Sequence, residues 1–129
     1  MSEAPKGQLL TRTLAMPGDC NANGDIFGGW IMSQLDLAGG ILAKEISGGR
    51  IVTVSVSSIT FKKPVKVGDV VCVYGECTKI GRTSMSIDLA VWVKPVKEHG
   101  VGERFMVCDA TFNYVAIDAN GKPRPIPQN

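Results

Sequence analysis

The hydrophobic pattern changes period twice along this chain. Residues 8–16 (QLLTRTLAM) read as a strand, and residues 17–27 form a loop dense in Gly, Asn and Asp. From Gly28 or Gly29 to Ile46, apolar residues crowd at helical spacing until Ser47, Gly48 and Gly49 end the run. The remainder has period two. Residues 51–63 (IVTVSVSSITFKK) alternate, then shift phase near Ser57 and Ser58, which predicts a bulge. VKVGD (65–69) is a turn and residues 70–80 are a strand. Residues 82–94 alternate cleanly, with Met85, Ile87, Leu89, Val91 and Val93 on one face. Residues 103–117 form another long strand, followed by a DANG turn and a proline-rich tail. The order is β, α, then four long β segments with short connections, which predicts an antiparallel sheet. The helix is apolar almost all round, so it must be covered. An α+β fold follows, a long curved sheet around one helix.

Composition narrows the setting. The 129 residues fit one domain, 1–129, without repeats or linkers. A 44% apolar and 20% charged composition is that of an ordinary globular protein. A net charge of +2 gives no reason to expect nucleic acid or an anionic membrane as partner. No apolar run approaches the roughly 20 residues of a membrane span, and MSEAPKGQLL lacks the features of a signal peptide. The four cysteines form no C-x-x-C pair, and Cys72 and Cys77 fall on opposite faces of one strand. Reduced cysteines in a cytoplasmic protein, with no metal site, are expected.

Candidate chemistry is constrained by the single histidine. His99 lies in the polar segment VKEHGVGE, and no G-x-S-x-G elbow is present to meet it. Any reaction must then run on a carboxylate, and one acid is out of place. Asp36 stands inside the apolar helix, with Gly39 and Gly40 beside it. Two glycines in a helix interior cost about 2 kcal/mol relative to alanine. Close packing or room for a ligand would offset that cost. A structural role for Asp36, bonding a neighbouring strand or pairing with Lys44, is the plainer alternative. The preceding loop supplies amides at Asn21 and Asn23, and Gly28 and Gly29 fall where the helix begins. Free N–H groups and the positive dipole end at a glycine helix start are the makings of an oxyanion hole. Asp25 reads as a loop or near-cap residue, and Trp30 as core or pocket wall.

Residues 12–45 (RTLAMPGDCNANGDIFGGWIMSQLDLAGGILAKE) and 52–71 (VTVSVSSITFKKPVKVGDVV) together resemble the YciA-like acyl-CoA thioesterases of the hotdog superfamily, and the likeness continues through GRTSMSI, CDATFNYVAI and NGKPRPIP. The resemblance implies a hotdog fold, hydrolysis of acyl-CoA to a carboxylic acid and CoA, and no cofactor. It places the catalytic carboxylate at Asp36, as general base or nucleophile, the oxyanion glycine at Gly28 and a loop amide at Asn21, with Asn23 the alternative. Gly40 stands where related enzymes carry a Thr or Ser one turn after the acid. It also implies a homodimer as the minimal active unit, assembled into a hexamer as a trimer of dimers. CoA carries phosphates, so Arg82, Thr83, Ser84, Lys62 and Lys63, near strand ends, are the candidate nucleotide contacts. Two rivals share the fold. A dehydratase pairs an acid with a histidine in the loop–helix region, where this chain has none. A non-catalytic acyl-CoA-binding protein keeps the pocket but needs no carboxylate.

Overall fold

A computed structural model describes residues 4–128. Strand β1 (Gln8–Leu14) is followed by one 3-10 turn (Pro17–Asp19) and helix α1 (Gly28–Ser47). Strands β2 (Ile51–Phe61), β3 (Val70–Ile80) and β4 (Ser84–Lys94) come next. A two-residue hairpin, β5 (Val96–Lys97) and β6 (Gly100–Val101), precedes β7 (Phe105–Ala116). The main sheet is antiparallel throughout, in the order β1-β3-β4-β7-β2. This is the hotdog arrangement, one long helix lying on a five-stranded antiparallel sheet.

The strong alternation in β4 is what seats the helix. Met85, Ile87, Leu89, Val91 and Val93 are all buried, in one cluster with Val71 and Val73 of β3, Phe112 and Tyr114 of β7, and Ile31, Leu35, Ala38, Leu42 and Ala43 of α1. The phase shift expected near Ser57 is present as a register shift between Val56 and Ser58, and a second lies between Thr53 and Ser55. Cys72 points away from that cluster and Cys77 packs against it, the opposite faces that their spacing predicts. All four cysteines are free.

Several boundaries differ from the periodicity. Strand β2 stops at Phe61 rather than Lys63, because the amides of Lys62 and Lys63 both turn to the Val107 carbonyl before Pro64 interrupts the ladder. Strand β4 begins at Ser84, not Arg82, because the Gly81 amide bonds the Ser84 carbonyl and closes a tight turn over Arg82 and Thr83. His99 lies in the exposed turn between β5 and β6, within the polar segment. The helix is not covered all round within one chain. Met32, Leu37 and Ile41 are exposed, as are Val52, Val54, Val56 and Phe61 of edge strand β2. No helix is long and apolar enough to cross a membrane among the described residues.

Gly48 ends α1 in the left-handed region, at φ 75°, with its amide on the Lys44 carbonyl. A Cβ there would meet nothing within 4 Å, so replacing it costs backbone energy alone. Gly48→Ala should lower the unfolding free energy by about 1–2 kcal/mol. An unchanged denaturant midpoint would contradict the observed cap.

Candidate active site

Asp36 is held by the sheet. Thr53 of β2 donates its hydroxyl hydrogen to Asp36 Oδ1 at 2.6 Å, and the Tyr114 hydroxyl of β7 lies 3.2 Å from both Oδ1 and the Asp36 carbonyl oxygen. Thr53 and Tyr114 are opposite one another in the β2–β7 register, so one cross-strand pair reaches the helix at one point. Asp36 Oδ2 makes no hydrogen bond among the described residues, and neither ion pair found among them involves Asp36. Lys44 is therefore not its partner.

The two glycines beside Asp36 have different reasons. Gly39 is buried, and a Cβ on it would occupy the place of the Tyr114 hydroxyl and crowd Leu89 Cδ1 at 3.0 Å. Close packing is what requires this glycine, and what it admits is a tyrosine. Gly40 has only Ile51 Cδ1 near its would-be Cβ, at 3.8 Å, so space remains on that flank of the acid. Burial, then the Asp36 charge, then the hydrogen bond to it push the Tyr114 phenol well above its ordinary value of 10.0. The hydroxyl accordingly remains a donor at neutral pH.

The helix start lies at the far end of the same face. Phe27 is the N-cap and offers no side-chain acceptor, and the Gly28 and Gly29 amides have no partner among the described residues. Gly28 lines a cleft with Asp25, Ile31, Phe61, Lys62 and Lys63. The Asn21 carboxamide oxygen accepts the Asn23 and Asp25 amides at 2.9 and 3.2 Å, so that side chain shapes the loop leading to Gly28. Asn23 is exposed and Asp25 pairs with Lys66, the loop role its position predicts. Trp30 is partly buried against the core.

The five candidate phosphate contacts do not gather in one chain. Lys62, 3.2 Å from Asp109, and Lys63, over the Phe105 ring, lie at the Gly28 end of the sheet. Arg82, Thr83 and Ser84 lie at the other end, where Ser84 is opposite Val115, one residue from Tyr114. There the Ile126 amide bonds the Arg82 carbonyl and the Ala116 amide bonds that of Thr83. Gly28 and Asp36 are likewise apart, eight residues or about 12 Å along the helix axis. One chain thus holds the candidate residues in two groups, Asp36 with the Arg82 turn and the helix start with Lys62 and Lys63.

Thr53 and Tyr114 are the residues that sequence reasoning missed. The available signal was Tyr114 itself. It shares the inward face of β7 with Phe112 and Ala116, and a buried tyrosine needs a partner for its hydroxyl.

Residues 23–99 match the family model described as "Thioesterase superfamily". The Acyl-CoA thioester hydrolase YciA of Salmonella typhimurium is 59% identical over 127 residues, covering 98% of this chain and 96% of that one. The crystal structure of HI0827, described as a hexameric broad specificity acyl-coenzyme A thioesterase, superposes with a TM-score of 0.91 at 61% identity, over 98% of this chain and 86% of that chain. The hexameric thioesterase y2039 from Yersinia pestis gives 0.90 at 56% identity, over 98% and 100%.

The proton on Tyr114 has a measurable consequence. Its folded pKa lies above the unfolded value near 10, so its contribution to stability is complete below pH 10 and is lost as pH rises through the folded value. Above pH 10, wild-type unfolding free energy should fall more steeply than that of Tyr114→Phe. Parallel pH curves for the two proteins would contradict the bonded, buried hydroxyl.

Proposed function

This chain belongs to the thioesterase superfamily, among its YciA-like acyl-CoA thioester hydrolases, and from that premise we propose that it cleaves acyl-CoA with Asp36 of one subunit and the helix start of another. Water and R–CO–S–CoA give R–COOH and CoA–SH. Asp36 Oδ2 takes a proton from the attacking water as the new C–O bond forms. The carbonyl oxygen, becoming negative, accepts the Gly28 amide hydrogen at the positive end of the helix dipole. Collapse of the tetrahedral intermediate breaks the C–S bond, and the proton held by Asp36 goes to the departing thiolate. No step calls for a metal or redox cofactor.

The observation that carries this reading is the pair of unfinished halves. Among the described residues a carboxylate oxygen and helix amides stand without partners, too far apart along α1 to act on one carbonyl. A two-fold dimer joins them if the helix start of one subunit faces Asp36 of the other. The exposed apolar residues of β2 support that pairing, since a long apolar edge strand left open would be an aggregation site. The two-fold also brings Lys62 and Lys63 of one chain to the end of the sheet that holds Arg82, Thr83 and Ser84 of the other, which gathers cations and hydroxyls for the CoA phosphates. Asn21 then acts on the Gly28 side, by fixing the loop that presents the amide. The hexameric relatives support further assembly into a trimer of such dimers.

Asp36→Asn keeps the shape of the side chain and removes its basicity. It should leave binding of a non-hydrolysable acyl-CoA analogue intact while lowering turnover by about 10²–10⁴. Release of CoA, followed with a thiol-reactive dye, reads the turnover. Wild-type hydrolysis by the purified variant would eliminate Asp36 as the base.

A further inference from the structure

We infer that Tyr114 is a positioning residue for the reaction, aiming the Asp36 carboxylate by a hydrogen bond that Gly39 makes room for. This rests on the reading of Asp36 as the base. A carboxylate on a helix surface rotates about two bonds and samples several rotamers. Here Oδ1 is fixed by two hydroxyls, Thr53 Oγ1 at 2.6 Å and Tyr114 Oη at 3.2 Å, so Oδ2 is the oxygen left for chemistry.

The two hydroxyls are not equivalent as constraints. Thr53 stands on edge strand β2, beside a register shift between Thr53 and Ser55. Tyr114 stands on β7, an interior strand paired with both β2 and β4, and its side chain is fully buried. Its ring follows that of Phe112 along the core face, with centroids 6.4 Å apart. The Tyr114 hydroxyl is therefore a fixed point against which the helix acid is set. Between its two acceptors, the charged Oδ1 is stronger than the backbone carbonyl of Asp36.

The geometry demands an absence at position 39. Any Cβ there would displace the Tyr114 hydroxyl, so a helix glycine and a sheet tyrosine act as one device. The stability lost by a buried mid-helix glycine is offset by what its missing side chain lets in.

Tyr114→Phe removes only the hydroxyl. Loss of one hydrogen bond to a charged group should lower kcat by about ten- to a hundred-fold, with KM for acyl-CoA within two-fold. Among the described residues, Thr53 from β2 and Tyr114 from β7 are the side chains bonded to this carboxylate, and no cation pairs with it. The hydroxyl touches the base and not the substrate, so its loss should appear in kcat and not in KM. A purely structural role would not confine the loss to kcat. Gly39→Ala should reproduce the loss of kcat, and adding Tyr114→Phe to it should cost nothing more. Wild-type kcat in Tyr114→Phe, a loss carried by KM, or losses that multiply in the double variant would overturn the inference. Activity in Asp36→Asn would instead sink the underlying assignment of the base.

Discussion

The depth at which α1 lies on the sheet governs everything else in this molecule. It is set where Gly39 meets Tyr114. The helix backbone comes close enough there for a phenol to reach both the carbonyl and the carboxylate of Asp36. Leu35, Ala38 and Leu42 fill the remaining contact, and Leu35 and Ala38 are wholly buried. Burial of an apolar side chain contributes roughly 1.5–3 kcal/mol, but it is non-directional. The hydrogen bonds decide which rotation of the helix is native. Rotation of α1 by one residue would move Asp36 off Thr53 and Tyr114 and set a side chain against the phenol.

From that fixed rotation the outer flank of the helix follows. Met32, Leu37 and Ile41 are left exposed on the helix, and β2 has an unpaired edge. Polar chemistry and apolar surface meet at β2, where Thr53, bonded to Asp36, stands between the exposed Val52 and Val54. The proposed subunit pairing covers both at once, which dries the carboxylate and strengthens each bond to it. The proposed division of the site follows from one constraint, that a straight helix cannot bring its own N-terminus back to its middle.

Much of this was legible in the residues. The single strong helix, the clean alternation of β4 and the phase shift in β2 all carry their period on the surface of the sequence, and each is found where the pattern puts it. Ends were less legible, because hydrogen bonds outside the strand set them. The Val107 carbonyl takes the Lys62 amide out of β2, and the Gly81–Ser84 turn takes Arg82 out of β4. Asp36 was visible as an acid in the wrong company, and Gly28 as a glycine at a helix start. What sequence spacing could not convey was a partner 78 residues away. Tyr114 meets Asp36 only because β7 lies beneath the helix, and that neighbourhood exists in the sheet order, not in the chain. The same limit applies to the phosphate contacts, where two groups of candidates proved to lie at opposite ends of one sheet.

In the proposed dimer each active site takes Asp36 from one subunit and the Gly28 amide from its partner. Proline is tolerated at the first helical position and lacks only the N–H, and Phe27 already has an extended ψ of 137°, as a residue before proline requires. Gly28→Pro therefore deletes the oxyanion donor with little strain, and Asp36→Asn deletes the base. Each variant refolded alone should be nearly inactive. Refolded together, about half the dimers carry one chain of each kind, and in those one site receives both defects and the other receives neither. Activity should return to about a quarter of the wild-type value. Mixed dimers that form and stay inactive would place the whole site within a single chain and rule out a site shared between subunits.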